Sequence, residues 1–155
     1  MSSPVLRGVV AGALGTTALN VTTYLDMAVR ARPASSVVAA DVRALAERVH
    51  VPLDVGTDED GAQARTEALG ALMGFATGAL AGAVYGAVRG RARGVPRAAA
   101  AVALGLGVMA ATDGVSTALG ATDPRSWSAA DWASDVVPHL VFGATTAYGF
   151  DALEH

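Results

Sequence analysis

The chain has 155 residues, of which 52% are hydrophobic, 16% are charged and 5% are aromatic, and its net charge at pH 7 is −3. An average soluble domain carries about 25% charged residues, so this chain is poor in charge for a protein surrounded by water. The net negative charge provides no overall basic field for nucleic acid. The absence of Cys excludes disulfides, thiolate chemistry and Cys-ligated metals.

Four long segments with few charged residues follow one another: 8–25, 68–88, 98–122 with Asp113 inside it, and 136–150. A helix needs about 20 residues to cross the hydrocarbon of a bilayer. Extended by their ends, the segments predict transmembrane helices at about 5–28, 67–89, 96–121 and 134–153. We therefore expect an all-α, integral membrane four-helix bundle that forms a single membrane domain over 1–155. The alternative is a soluble helical bundle rich in Gly and Ala, because core helices of about 15 residues also occur in soluble proteins.

The first predicted span carries small or polar residues at every fourth position, in the order Gly8, Gly12, Thr16, Asn20, Tyr24. An asparagine in mid-membrane favours an interhelical hydrogen bond worth about 1 kcal/mol. The alternative is that Asn20 lines a polar pathway. A cleaved signal peptide is disfavoured, because the uncharged run is long and ends without a convincing cleavage site.

The loop 29–66 is long and net acidic, and it contains a predicted short helix at 36–49. Ser35 or Ser36 can cap this helix. Its apolar residues fall on one stripe: Val38, Val42, Leu45 and Val49. We therefore predict an amphipathic helix that lies on the membrane or on the protein, followed by a flexible acidic linker, DVGTDEDGAQ.

The second predicted span has a glycine at every fourth position: Gly70, Gly74, Gly78, Gly82, Gly86 and Gly90. In lipid, helices associate through close backbone approach, so small residues mark contact faces. Successive members of the row are rotated by about 40°, and one straight partner cannot meet all six. We expect the first three to face one neighbour and the last three another. Gly8, Gly12 and Gly143 are predicted to pack other helices in the same way.

The loop RGRARGVPR holds Arg89, Arg91, Arg93 and Arg97 and no acidic residue. The positive-inside rule assigns it to the cytoplasm. Both chain termini are then cytoplasmic, and the protein is expected in the cell (inner) membrane. Five arginines in the loop 29–66 reduce this contrast.

Several polar residues fall in or beside the last two spans. Asp113 interrupts the third span and is followed by Gly114, so we predict a local break in the helix there. Within a membrane its charge needs a partner or a proton. In the next loop Trp127 and Trp132 are expected in a short helix capped by Ser128, where both act as interfacial anchors.

The last span carries a row on one side: Asp135, His139, Gly143, Ala147 and Asp151. Its Pro138 is expected in the first turn or at a kink. Asp135 and His139 are one turn apart and can pair. Because a short loop makes the last two spans neighbours, Asp113 is expected near His139. The predicted polar membrane site consists of Asp113, His139, Asp135 and Asn20, and it is a structural latch or a proton relay.

Two stretches, GVVAGALGTTALNVTTYLDMAVRARPASSVV and DVVPHLVFGATTAYGF, carry a resemblance. They resemble small uncharacterised actinobacterial multi-pass membrane proteins and, to a lesser degree, the YagU-like inner-membrane family. This resemblance implies membrane residence and a four-helix layout, and it implies no assigned activity and no catalytic residues.

The chain lacks GxSxG, HExxH, CxxC and phosphate-loop motifs. We therefore expect no enzyme, no catalytic or metal site and no cofactor. The predicted function is that of a structural or interaction protein which self-associates or accompanies a membrane complex. Its partners are the lipid bilayer and itself or another membrane protein, and nucleic acid is not expected. The alternative is a small channel or proton-coupled permeation protein that uses Asp113, His139 and Asn20.

Overall fold

In the computed structural model, residues 3–92 and 94–153 are described, and within them the chain forms five α-helices. They are α1 (Pro4–Arg30), α2 (Val37–Arg48), α3 (Glu59–Arg89), α4 (Arg97–Leu119) and α5 (Ala129–Ala152), with a 3₁₀ turn at Pro124–Ser126. The all-helical fold expected from the sequence is confirmed.

Among the described residues, α1, α3 and α4 are long and apolar enough to cross a membrane. Helix α5 has 24 residues but is not one of these three. It carries several polar groups that lower its hydropathy: Asp131, Asp135, His139 and Asp151. Three of the four predicted spans therefore have the composition of membrane helices.

The bounds of α1, α2 and α4 lie within two residues of the predicted ones, but two helices begin earlier than expected. Helix α3 begins at Glu59, because the Asp58 carboxylate accepts a hydrogen bond from the Gly61 backbone N–H at 3.0 Å and caps the helix. The end of the predicted flexible linker is therefore helical. Helix α5 begins at Ala129 with a reciprocal capping box between Ser128 and Asp131. Trp132 accordingly lies in α5 itself and not in a separate short helix.

The structure also tests two predicted irregularities. Helix α4 runs without interruption through Asp113 and Gly114 to Leu119, where Gly120 ends it with a left-handed φ of 78°. Pro138 lies inside α5, which excludes the first-turn alternative and leaves the kink. An aspartate in mid-helix does not break it, because its backbone still donates and accepts the helical hydrogen bonds.

The four long helices are arranged in the order α3, α1, α5, α4, and contacting neighbours are antiparallel. Helices α3 and α4 follow each other in sequence but touch little. Helix α2 contacts both of them, so it separates them at one end. The arrangement is thus open between α3 and α4. The amphipathic helix lies on the protein.

Helices α1 and α3 meet backbone to backbone. A Cβ atom added at Gly82 would overlap the carbonyl oxygen of Gly8 and lie 2.7 Å from the Gly12 Cα. A Cβ at Gly78 would overlap the Thr16 hydroxyl, and one at Gly86 the carbonyl oxygen of Pro4. This interface therefore excludes any side chain at these glycines.

The glycine row of α3 divides differently from the expectation. Gly78, Gly82 and Gly86 all face α1, whereas Gly70 faces Val38 of α2. A Cβ atom added at Gly74 or at Gly90 would meet no other atom within 4 Å. The division follows from chain order, because α1 pairs with the second half of α3 and leaves α2 to cover part of the first half.

The α4–α5 interface is built from other glycines. A Cβ at Gly143 would overlap the Ala101 carbonyl oxygen and lie 2.7 Å from the Gly105 nitrogen. Beside it, the ring of Phe142 is 1% exposed and reaches both Gly15 of α1 and Gly78 of α3. Helices α1 and α5 are therefore the two inner helices, and Phe142 of α5 lies where α1, α3 and α5 meet.

Candidate functional site

Asp113, Asp135 and His139 come together between α4 and α5, and we call them the aspartate–histidine cluster. The His139 Nδ1 atom lies 2.9 Å from the Asp135 backbone oxygen and 3.3 Å from its Oδ1 atom. Both neighbours are acceptors, so Nδ1 carries a hydrogen and donates it. The His139 side chain is 13% exposed, and its orientation is set by this hydrogen bond.

Asp113 faces this pair from α4 and interacts with both Asp135 and His139. Gly105 packs on the His139 backbone in an antiparallel pair, so Asp113, two turns further along α4, lies about one turn from the level of Asp135. The Asp135 Oδ2 atom is buried and has no hydrogen-bond partner among the described residues. The structure thus brings together three of the four residues of the predicted polar site.

Asn20, the fourth predicted member, forms no hydrogen bond with these three side chains among the described residues. It is half-buried on α1, one turn beyond Thr16, and its side chain makes no hydrogen bond within the part of the chain that the structure describes. The expected interhelical hydrogen bond is not formed.

A second polar contact joins α1 to α5. Asp26 accepts a hydrogen bond from Arg32 Nε at 2.6 Å and from the Ser134 hydroxyl at 3.2 Å. Arg30 donates to Ser134 at 2.5 Å and pairs with Asp26 at 3.3 Å. These groups lie at the end of the molecule that also holds α2, which we call the α2 end.

A third polar contact fastens α2 to α4, and the sequence interpretation missed it. The buried Ser116 hydroxyl donates to Asp41 Oδ2 at 2.6 Å. Asp41 is 9% exposed and its Oδ1 atom has no hydrogen-bond partner among the described residues. The spacing could have predicted that Asp41 faces protein. Asp41 is three residues after Val38 and four before Leu45, so it falls on the apolar stripe.

Trp127 and Trp132 also lie at the α2 end. Their rings are 5.0 Å apart at 64°, an edge-to-face contact. The Trp127 indole N–H donates to the Thr122 hydroxyl at 2.9 Å, and Trp132 is 41% exposed. The two rings thus pack on each other at this end, and their role as interfacial anchors stays a prediction.

The opposite end, which we call the arginine end, contains the loop 90–96 and the first turn of α1. Arg97 pairs with Asp151 at 3.1 Å and lies 4.1 Å over the Tyr148 ring. Arg7 lies 5.0 Å over the Phe150 ring. Arg89 donates to the carbonyl oxygens of Ala92 and Val95 at 3.1 and 3.0 Å. Arginine thus organises the packing and the loop at this end.

Two cavities lie beside α2, at the start of α3. One of about 640 Å³ includes Arg43, Glu47, Asp54 and Gln63 in its lining. The other, of about 240 Å³, is lined by apolar side chains that include Leu45, Leu69 and Met73. Neither lies at the aspartate–histidine cluster. Among the described residues, no group of three His, Asp or Glu side chains is placed to hold a metal ion.

The comparisons with known proteins found no match: neither a protein-family model, nor a curated protein, nor a solved structure is similar to this chain. The resemblance to multi-pass membrane proteins drawn from the sequence stays a prediction, and a function must be argued from the geometry alone.

Proposed function

We propose that this chain is a multi-pass membrane protein with four spans, in which α5 is the fourth. Its place between α1 and α4 supports this, because both neighbours are apolar enough to cross a membrane. A helix of 24 residues is about 36 Å long. The polar groups of α5 are turned toward protein: His139 and Asp135 toward α4, and Asp151 toward Arg97.

We further propose that the arginine end is cytoplasmic. The short loop at this end follows Arg89, contains Arg91, precedes Arg97 and has no acidic residue. The α2 end holds six arginines together with most of the acidic residues: Arg30, Arg32, Arg43, Arg48, Arg65 and Arg125. Applied to the short acid-free loop, the positive-inside rule favours a cytoplasmic arginine end in the inner membrane. Trp127 and Trp132 then mark the opposite interface.

The function we propose is structural: the protein self-associates or accompanies another membrane complex. The observation that carries this is the uneven use of small residues on α4. Gly105 and Ala101 pack on the backbone of α5. A second set of small residues on α4 is exposed: Ala99, Ala103, Gly107, Ala111, Gly114 and Ala118. In lipid, a helix face of small residues allows close approach of another helix.

The second candidate is a small channel or proton-coupled permeation protein. The aspartate–histidine cluster supports it, because ionisable residues within membrane helices are commonly functional. A pathway through Asn20 is less well supported, since that side chain forms no hydrogen bond with the cluster among the described residues. We therefore keep the structural function as the principal proposal.

The span number can be tested by labelling single cysteines in intact cells, since the natural chain has no Cys. We expect Val55→Cys and Ser126→Cys to react with a membrane-impermeant maleimide, and Gly94→Cys and Leu153→Cys to react only after the membrane is opened. Labelling of Ser126→Cys and Leu153→Cys from the same side would show that α5 does not cross. Release of the protein by alkaline carbonate would contradict membrane residence altogether.

Self-association can be tested by measuring the mass of the purified protein in detergent and by cross-linking it in lipid. We expect an oligomer that Gly107→Leu dissociates without loss of helix content. Gly74→Leu on α3 is the matched control, because both glycines have open space around them. A strictly monomeric protein that also captures no membrane partner after cross-linking in cells would contradict the proposal.

A further inference from the structure

The aspartate–histidine cluster contains three titratable groups that a purely structural protein does not need. Replacing them by apolar residues would pack α4 on α5 without placing charge among apolar helices. Their chemistry therefore calls for its own explanation, independent of self-association.

The positions of the hydrogens follow from the geometry. His139 Nδ1 donates to Asp135, which leaves Asp135 Oδ1 as an acceptor. The buried Oδ2 atom of the same carboxylate has no hydrogen-bond partner among the described residues. Asp113 is the side chain that faces this carboxylate from α4. Two ionised carboxylates facing each other would repel, whereas one carboxylic acid can donate to the other carboxylate in a short, strong hydrogen bond.

We propose that Asp113 and Asp135 share one proton, so that the cluster is a proton-binding site that fastens α4 to α5 while the proton is bound. In the bound state Asp113 is the donor and Asp135 Oδ2 the acceptor, and His139 holds the other oxygen of Asp135. When the proton leaves, the two carboxylates repel across the α4–α5 interface. His139 is a positioning residue, because it acts by orienting Asp135.

The charged groups on the surrounding elements are engaged elsewhere. From α1, Asp26 is paired with Arg30 and Arg32 beside Ser134. From α2, Asp41 accepts from Ser116, and Arg48 donates to the Ala118 backbone. On α5 itself, Asp131 is bonded to Ser128. None of these described contacts brings an arginine to Asp113.

The site is shallow enough for protons to exchange with water. Asp113 lies six residues before the end of α4 at Leu119, which is about 9 Å along the helix axis. Asp135 lies one turn beyond Trp132. Both aspartates are therefore near the α2 end, and the site can sense the pH on that side of the membrane.

The test uses the full-length protein in lipid nanodiscs. Infrared spectra at neutral pH are recorded for the wild type, Asp113→Asn and the control Asp123→Asn, which alters an exposed loop carboxylate. We expect the wild type and Asp123→Asn to show the C=O stretching band of a buried carboxylic acid, and we expect Asp113→Asn to lose it. The absence of this band in the wild type at every pH at which the protein is folded would overturn the proposal without any variant.

A second measurement covers the case in which a variant folds poorly. The thermal unfolding temperature is followed from acid to alkaline pH. If the folded protein holds a proton that the unfolded chain releases, the free energy of unfolding falls as the pH rises. We expect this fall in the wild type and in Asp123→Asn. We expect its loss in Asp113→Asn, whose amide still donates but never becomes charged. A fall of equal size in all three proteins would overturn the proposal, whether or not the protein self-associates.

Discussion

Helices α4 and α5 are antiparallel neighbours of similar length, but they differ in hydropathy and in burial. The most apolar part of α4 has a mean hydropathy of 1.6, yet only 17% of it is buried within the protein. Helix α5 is not apolar enough to count among the candidate membrane spans, yet its side chains Phe142, Thr146 and Ala147 are at most 1% exposed. Hydropathy therefore selects α4 as a candidate membrane span and does not select α5, an inner helix that packs on both α1 and α4.

The physical reason lies in what each helix faces. A lipid-facing helix must be apolar around most of its circumference, because lipid offers no hydrogen-bond partners. An inner helix meets other helices, so its carboxylates can face protein, as Asp151 faces Arg97 and Asp135 faces Asp113. Helix α5 can therefore carry Asp135, His139 and Asp151, whereas α4 has a single charged residue between its first turn and its end, Asp113. This contrast can be tested by matched substitutions on the two helices.

The largest effect is expected for the side chain at the centre of the packing. Phe142→Ala removes a ring that contacts Gly15 and Gly78, and it should lower the free energy of unfolding by about 3 kcal/mol through the cavity it leaves. Leu106→Ala on α4 is the control, because Leu106 is 42% exposed. Thermal or denaturant unfolding in a mild detergent measures both. Equal losses would contradict the central position of α5.

The next effect compares two glycines. Gly143→Leu would force a side chain into the Ala101 and Gly105 backbone and should destabilise the protein by about 2 kcal/mol or more. Gly107→Leu adds the same atoms where nothing lies within 4 Å, so the unfolding temperature of the monomer should stay the same. If both variants unfold at the wild-type temperature, α4 and α5 are not in backbone contact.

A smaller effect is expected at the arginine end. Arg97→Gln removes the ion pair with Asp151 and the contact with the Tyr148 ring, and both side chains of the ion pair are partly exposed. The pair and the cation–π contact are screened by solvent, so their loss should lower the unfolding temperature by less than Phe142→Ala does. Arg91→Gln is the control, since Arg91 bonds only to the Ala87 backbone oxygen among the described contacts. A loss as large as that of Phe142→Ala would mean that this end, and not the centre, holds α4 to α5.

The smallest effect concerns the loop that joins the two helices. Arg125 hydrogen-bonds Asp123 and lowers the pKa of that carboxyl below its usual 3.8. A lowered pKa stabilises the fold above the unfolded-state pKa, and this contribution is lost as the pH falls through the folded-state value. Asp123→Ala should therefore unfold slightly below the wild type at neutral pH, and the two unfolding curves should converge in acid. A difference that grows in acid would contradict this ion pair.

Much of the helix layout follows from the sequence because helix ends are local. Runs without charge, Pro33 and Gly120 mark where α1 and α4 stop, and each acts on its own few residues. The meeting of Asp113 with Asp135 and His139 was also expected, because a short loop makes consecutive helices neighbours. The predicted break at Asp113 was wrong, since a side chain's charge does not interrupt the backbone hydrogen bonds of a helix.

Partner choice was decided by the tertiary structure. The glycine row marks α3 as a packing helix, but nothing within α3 distinguishes Gly82, which lies on α1, from Gly74, which faces open space. The same holds for Asp41, whose partner Ser116 is 75 residues away. Spacing along one helix determines which residues share a face. Which neighbour covers that face depends on how α2 and the loop lengths place the other helices, and that is a property of the whole chain.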